Sequence, residues 1–262
     1  MKKLCLALLV AFSLSFGLSA QADEFQVAVA ANFTKPAEEI AKLFEAKTGH
    51  KAVLSFGSTG NFYSQIKQEA PFAVFLAADS ATPQKLEAEN LIKPNSRFTY
   101  AKGALALWSK RPRYVDDKGD VLKKNQFEKL AVADPKLAPY GKAAYEVLAK
   151  LGLDKTLESK IVTGNNITQT FQFAESGNAQ IAFIAWSQVC KDGKLTEGSV
   201  WNVPSDLYSP ILQDLVILKP GQDSAAAQAF ADYVKTDPDA RKVILSYGYE
   251  LEEVDAPMKK AS

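Results

Sequence analysis

The sequence is short of the residues that most nucleophilic and metal chemistry needs. It holds one histidine, His50, and two cysteines, Cys5 and Cys190. Cys5 falls in an N-terminal apolar run, too early for a lipid-modified cysteine after that run. Only Cys190 stands in the body of the chain, which excludes an internal disulfide there and leaves stability to core packing. One histidine argues against a Ser-His-Asp triad, a reactive Cys-His pair and a zinc or iron site. His50, in "KTGHKAV", reads as a helix-to-strand turn. No G-x-S-x-G elbow is present, and "FGSTGN" lacks the lysine and spacing of a P-loop. Clustered basic residues are also missing, so nucleic acid is not an expected partner. After the N-terminus no second apolar run is long enough to span a membrane.

That N-terminus reads as processing: Lys2 and Lys3 precede "LCLALLVAFSLSFGL", and Ala20-Gln21-Ala22 fits the small-x-small cleavage rule. Residues 1–22 are therefore expected to be a signal peptide, with export to the periplasm. Its loss turns 31 basic against 30 acidic residues into 29 against 30, because it carries Lys2 and Lys3 and no acid. With 47% hydrophobic and 23% charged content over 262 residues, the remainder can fill two packed modules.

Short apolar strands alternate with amphipathic helices. "FQVAVAANF", "KAVLSFGST" and "FAVFLAAD" read as strands, each followed by a helix; in the first helix Ile40, Leu43 and Phe44 share a face and Gly49 is the stop. This rhythm predicts a parallel sheet covered on both faces. It breaks near Tyr100: "GALALWSK" is a strand, and "RPRYVDDKGDVLKKNQ" is polar and irregular. It resumes through "KLAVADP", "GKAAYEVLAKLG", "SKIVTG", "TQTFQFAESG" and "QIAFIAW". "DLVILKP" adds a strand, and two helices broken at Asp237-Pro238 close the chain. The expected organisation is an α/β protein with a first lobe over 23–100 plus 211–262 and a second over 101–210, and the ligand in the cleft between them.

Four strand-to-helix junctions share a pattern: Ala31-Asn32-Phe33-Thr34, "SFGSTGN" over Ser55 to Asn61, Pro139-Tyr140-Gly141, and Gly164-Asn165-Asn166-Ile167-Thr168. Each sets hydroxyls, amides or glycine where free backbone N–H groups and the positive end of a helix dipole face outward. Any one of them alone is an ordinary helix cap. Four together, two from each lobe, suit an anion. Apart from Lys142 they hold no charged residue, so an amino acid with separate ammonium and carboxylate ends is poorly served. A small, fully ionised oxyanion fits better; a carboxylate acceptor, which would favour a protonated ligand such as hydrogen phosphate, is not evident.

The ordered series "VAVAANFTKPAEEIAKLFE", "SFGSTGNFYSQI", "APFAVFLAAD", "LAVADPKLAPYGKAAYEVL", "SGNAQIAFIAWSQ" and "SYGYEL" resembles the periplasmic molybdate-binding proteins of ABC-type importers. The resemblance implies a type II-like two-lobed binding protein, each lobe a mainly parallel sheet flanked by helices. It implies one tetrahedral molybdate or tungstate held by hydrogen bonds, with no cofactor, no catalysis and no direct cation site. Carried over by motif, Asn32 with Ala31 supplies the first-loop donors. Thr59 is the next ligand position, with Ser58 the close alternative; Tyr140 and, through its backbone N–H, Ile167 complete the set. Some members place a ligand tyrosine where this chain has Ala185, and Tyr140 is expected to stand in for it. Trp186 takes no role. The implied partners are the oxyanion and an inner-membrane ABC permease, with the protein a monomer. A receptor for sulfate or phosphate and a secreted α/β hydrolase, the latter using Ser58, are the rival readings.

Overall fold

The computed structural model describes residues 22–251; the signal-peptide reading lies, but for residue 22, outside them. The chain begins with β1 (Glu24–Ala30), α1 (Thr34–Thr48), β2 (Lys51–Gly57), α2 (Thr59–Lys67), β3 (Val74–Leu76), α3 (Ala81–Ala88) and β4 (Phe98–Gly103). It continues with β5 (Leu105–Ser109), α4 (Asp120–Lys124), β6 (Leu130–Ala133), α5 (Pro139–Lys150), α6 (Asp154–Leu157), β7 (Ile161–Gly164), α7 (Ile167–Glu175) and β8 (Ile181–Ala185). A small ribbon of β9 (Cys190–Lys191) and β10 (Lys194–Leu195) precedes β11 (Ser199–Asn202), β12 (Ile211–Ile217), α8 (Ala225–Thr236) and α9 (Pro238–Ser246).

Two five-stranded sheets result, in the orders β2-β1-β3-β12-β4 and β11-β5-β8-β6-β7. Four strands of each run the same way. The exceptions are β12 in the first and β5 in the second, each antiparallel to its neighbours. Both exceptions flank the places where the chain changes sheets: between Gly103 and Leu105 on the way out, and between Asn202 and Ile211 on the way back. The α/β, two-lobed, mainly parallel arrangement expected from the sequence is thus observed.

Period-two alternation sorts the side chains of β1. Val27 and Val29 face a core with Phe33, Ile40, Phe44, Phe230 and Ile244, so the two C-terminal helices pack with α1 on the first sheet. Ala28 faces the opposite layer, with Phe62, Phe75, Leu86 and Val216 under α2 and α3. Fully burying a side chain such as Phe44 contributes roughly 1.5–3 kcal/mol. In the second sheet Leu105, Leu107, Val132 and Phe183 pack beneath α5, while Ala106, Trp108, Ala182 and Ile184 face Ala174 of α7. Gly49 ends α1 with φ of 79°, its N–H donating to Glu45 C=O.

Three local readings change. β1 stops at Ala30, and Ala31–Phe33 form a 3-10 turn instead of extending the strand. The polar stretch after β5 contains α4, whose Val121 and Leu122 are buried. The Asp116 carboxylate accepts the N–H groups of Lys118, Asp120 and Val121 and so nucleates that short helix. Register also shifts between Gln213 and Asp214: these pair with Ala101 and Thr99, leaving Tyr100 as an extra residue in β4. Such bulges re-aim side chains.

Candidate ligand site

The four junctions meet. Ala31, Asn32, Ser58, Thr59, Tyr140 and Ile167 all line one cavity between the sheets, with Ala138, Pro139 and Asn166 among their neighbours. No charged side chain belongs to the lining. The space is about 10 Å³, near the lower limit for a single water-sized guest, and is lined on all sides by small or neutral groups. It joins an outer cleft of about 390 Å³ through Thr59, Ala78, Ala138 and Pro139. Lys142 and Asp79 lie in that outer cleft, outside the inner lining.

Helix capping determines which amides are left for a guest. Ser58 Oγ accepts the Asn61 N–H at 3.4 Å, and Asn166 Oδ1 accepts that of Gln169 at 2.9 Å. Ala138 C=O takes the N–H groups of Gly141 and Lys142. Among the described residues, the N–H groups of Ser58, Thr59, Tyr140 and Ile167, at the starts of α2, α5 and α7, have no partner. Thr59 Oγ1 accepts the Ala78 N–H at 3.0 Å. Ser58 and Thr59 thus both accept from the chain, and each hydroxyl still has its own proton to give.

The two halves of the wall are tied together around the cavity. Gly60 N–H donates to Leu137 C=O at 2.9 Å, Thr168 Oγ1 to Ala31 C=O at 3.3 Å, and Ser187 Oγ to Asn32 C=O at 2.9 Å. At Gly60 a Cβ would stand 3.0 Å from Leu137 Cα, so the close approach needs a small residue.

Asn32 is 3% exposed, and its side chain is engaged behind the cavity: Nδ2 donates to Gln213 Oε1 at 2.7 Å and to Tyr249 Oη at 2.9 Å. Tyr249 Oη also lies 2.8 Å from Asn32 C=O. Gln213 Nε2 donates to Tyr140 Oη at 3.2 Å, and Tyr100 Oη stands 3.0 Å from both Ala77 C=O and Gln213 Oε1. Burial pushes the phenols of Tyr100, Tyr140 and Tyr249 well above their ordinary range, so they remain neutral O–H groups. Sequence reasoning missed Gln213, Tyr100, Tyr249 and Ser187. The available signal was a pair of polar residues, Gln213-Asp214, inside the otherwise apolar "ILQDLVIL".

Ala185 ends β8, fully buried, and is not part of the cavity lining. Cys190 is buried, and burial pushes its thiol up, away from thiolate chemistry. His50 Nδ1 accepts the Asp23 N–H at 3.1 Å, and the ring stacks on Phe44, so it is tied into the α1–β2 turn. Ser58 acts as a helix cap without a histidine beside it, which gives a hydrolase no general base. Among the described residues no group of three or more His, Cys, Asp or Glu is placed to hold a metal ion.

Two α/β lobes around a small, uncharged, donor-lined cavity define a solute-binding protein. The model of the bacterial extracellular solute-binding protein family matches residues 25–250, and the chain belongs to that family. It is 61% identical over 234 residues to the molybdate-binding protein ModA of Azotobacter vinelandii, covering 89% of this chain and 92% of the relative. To ModA of Rhodobacter capsulatus it is 53% identical over 244 residues, covering 93% and 94%. The solved periplasmic molybdate-binding protein of Azotobacter vinelandii superposes with a TM-score of 0.84 at 39% identity, over 87% of this chain and all of that one. The sulfate-binding protein SubI of Mycobacterium tuberculosis shares the fold, with a TM-score of 0.74 at 12% identity over 88% of each chain.

Proposed function

We propose that this protein captures molybdate, or its congener tungstate, in the periplasm and delivers it as a monomer to an inner-membrane ABC permease, without catalytic turnover. The observation that carries the reading is the convergence of helix N-termini with uncommitted N–H groups on one cavity free of charged side chains. Kinship to proteins named for molybdate binding, at 61% and 53% identity, supports the choice of ion. The ligand set is Asn32 with Ala31, Thr59 or Ser58, Tyr140 and Ile167. The lobe limits expected from the sequence, 23–100 plus 211–262 and 101–210, shift at the first crossing: because β4 runs to Gly103 in the first sheet, the proposed change of lobe follows Gly103, and the return precedes Ile211.

Neutral donors suffice because hydrogen bonds to a charged acceptor contribute about 1.5–3 kcal/mol each, more than neutral pairs. Helix dipoles add to this when their N-termini face the same ion. Sulfate has the same charge and shape as molybdate, so discrimination rests on the size of the closed cavity. Thermal unfolding of the mature protein with an oxyanion panel tests this. A ligand at a hundred times its Kd raises stability by about 2.7 kcal/mol. Molybdate and tungstate are expected to raise Tm, with sulfate and phosphate at equal concentration leaving it in place. A shift with sulfate or phosphate and none with molybdate overturns the choice of ion.

A further inference from the structure

Gln213 is fully buried and does not line the cavity, yet it touches a proposed ligand residue from each lobe: Asn32 from the first and Tyr140 from the second. It sits on β12, beside the place where the chain returns to the first sheet. Gly103, where β4 leaves that sheet, lies directly beneath the contact. A Cβ there would collide with both Tyr140 Oη and Gln213 Nε2, so the bare glycine makes room for this pair.

Asn32 gives both Nδ2 protons away from the cavity, to Gln213 and Tyr249, which leaves its carboxamide oxygen as the side-chain atom free to face a guest. An oxygen lone pair toward an oxyanion is repulsive; an anion needs the N–H. Asn32 cannot turn alone, because its oxygen would then meet Gln213 Oε1. If both amides turn, each amide keeps its partners, and the Tyr249 proton moves off Asn32 C=O, which retains the Ser187 hydroxyl at 2.9 Å. Gln213 Nε2 donates to Asn32 Oδ1, Gln213 Oε1 accepts the Tyr140 O–H, and the Tyr249 O–H donates to Asn32 Oδ1. The Tyr100 O–H stays on Ala77 C=O, 3.0 Å away. Asn32 Nδ2 is then free to donate into the cavity.

We propose that Gln213 is a positioning residue for the oxyanion: its carboxamide turns together with that of Asn32, presenting the Asn32 N–H to the anion while committing the Tyr140 hydroxyl. Both ligand residues are set at once, from one strand at the crossing between lobes. The inference rests on the oxyanion reading given above.

Calorimetric titration with sodium molybdate tests it, on the mature protein and on Gln213→Met, each with and without Asn32→Ala. Gln213→Met is expected to weaken binding about tenfold when Asn32 is present, the loss of roughly one well-placed hydrogen bond. In the Asn32→Ala background the same substitution is expected to change affinity by less than about twofold, since coupled residues are not additive. Affinity within about twofold of wild type for Gln213→Met alone overturns the proposal, and so does an equal loss in both backgrounds, which marks the cluster as mere support for the fold. If Gln213→Met does not fold, Gly103→Ala, which forces Tyr140 and Gln213 apart, takes its place with the same expected and overturning results. Absence of molybdate binding by the wild-type protein removes the oxyanion reading itself, and this inference with it.

Discussion

Gln213 and Asp214 are neighbours on β12, both fully buried, and they face opposite ways into two different polar clusters. Around Gln213 everything is neutral: two amides, three tyrosines and a serine hydroxyl, contributed from both sides of the cleft. Around Asp214 the cluster is ionic. Its carboxylate accepts from Arg97 at 2.9 Å, Thr99 Oγ1 at 2.8 Å and Ser80 Oγ at 3.0 Å, all from the first sheet's side of the chain. The bulge at Tyr100 separates the two: it lets Thr99 serve Asp214 while Tyr100 turns to Gln213. Charge is used where a strand is to be fixed, and withheld where an anion is to be held and released. A cation beside the cavity would attract every anion and favour none by size; neutral donors leave the choice to geometry.

If that division is right, substitutions in the two clusters separate stability from binding. The largest effect is expected from Arg97→Leu, which leaves Asp214 buried without its ion-pair partner. Asp214 is buried but Arg97 is 31% exposed, so leaving the carboxylate without its partner is expected to destabilise by up to about 3 kcal/mol. The unfolding midpoint in urea should fall accordingly, while the folded fraction keeps molybdate affinity within about twofold. A large affinity loss at unchanged stability would erase the distinction between the clusters. Next in size is Asn32→Ala on the neutral side. It is expected to weaken molybdate binding by about 1–3 kcal/mol, roughly fivefold to 150-fold, read by calorimetry. Unchanged affinity would remove Asn32 from the site and leave it a purely structural residue.

Much of this arrangement was written locally in the chain. Apolar runs four to eight residues long between amphipathic helices gave the sheet rhythm, and of the four helix starts those at Ser58 and Asn166 are side-chain caps readable within a few residues, while α1 and α5 begin after Phe33 and Ala138 without one. Of the elements that escaped, α4 has five residues and the edge strand β11 four, with only Ser199 and Trp201 buried, while the six-residue edge strand β4 shows no clean alternation of buried and exposed positions. Ala31–Phe33 look like the end of a strand because they are as buried as β1 itself. The neutral cluster escaped for another reason. Asn32 meets Gln213 across 181 positions and Tyr249 across 217, and no local pattern encodes a pairing that exists only once both lobes have folded. The motif could therefore mark Asn32 as a polar residue at a helix start, but not which of its atoms was already taken.

The smallest effect, and the sharpest check on keeping charge away from the inner cavity, concerns Asp79. It follows Ala78, which lines the cavity, and itself lies in the outer cleft. Burial pushes its carboxyl above the ordinary range, against the opposing hydrogen bonds from Thr82 N–H at 2.9 Å and Thr82 Oγ1 at 3.2 Å. A folded-state pKa above the unfolded one means that folding favours the protonated form. Its stabilising contribution is complete below the unfolded value near 3.8 and is lost as pH rises through the folded value, so at neutral pH the ionised group opposes folding. A neutral carboxamide in its place would carry no such penalty, so Asp79→Asn is expected to raise Tm slightly at pH 7, with the gain shrinking as pH falls toward 4. Tm measured for both proteins across that range decides it. A difference that does not change with pH would mean that the substitution acts through the Thr82 cap alone, and that charge at this position is already screened from the site.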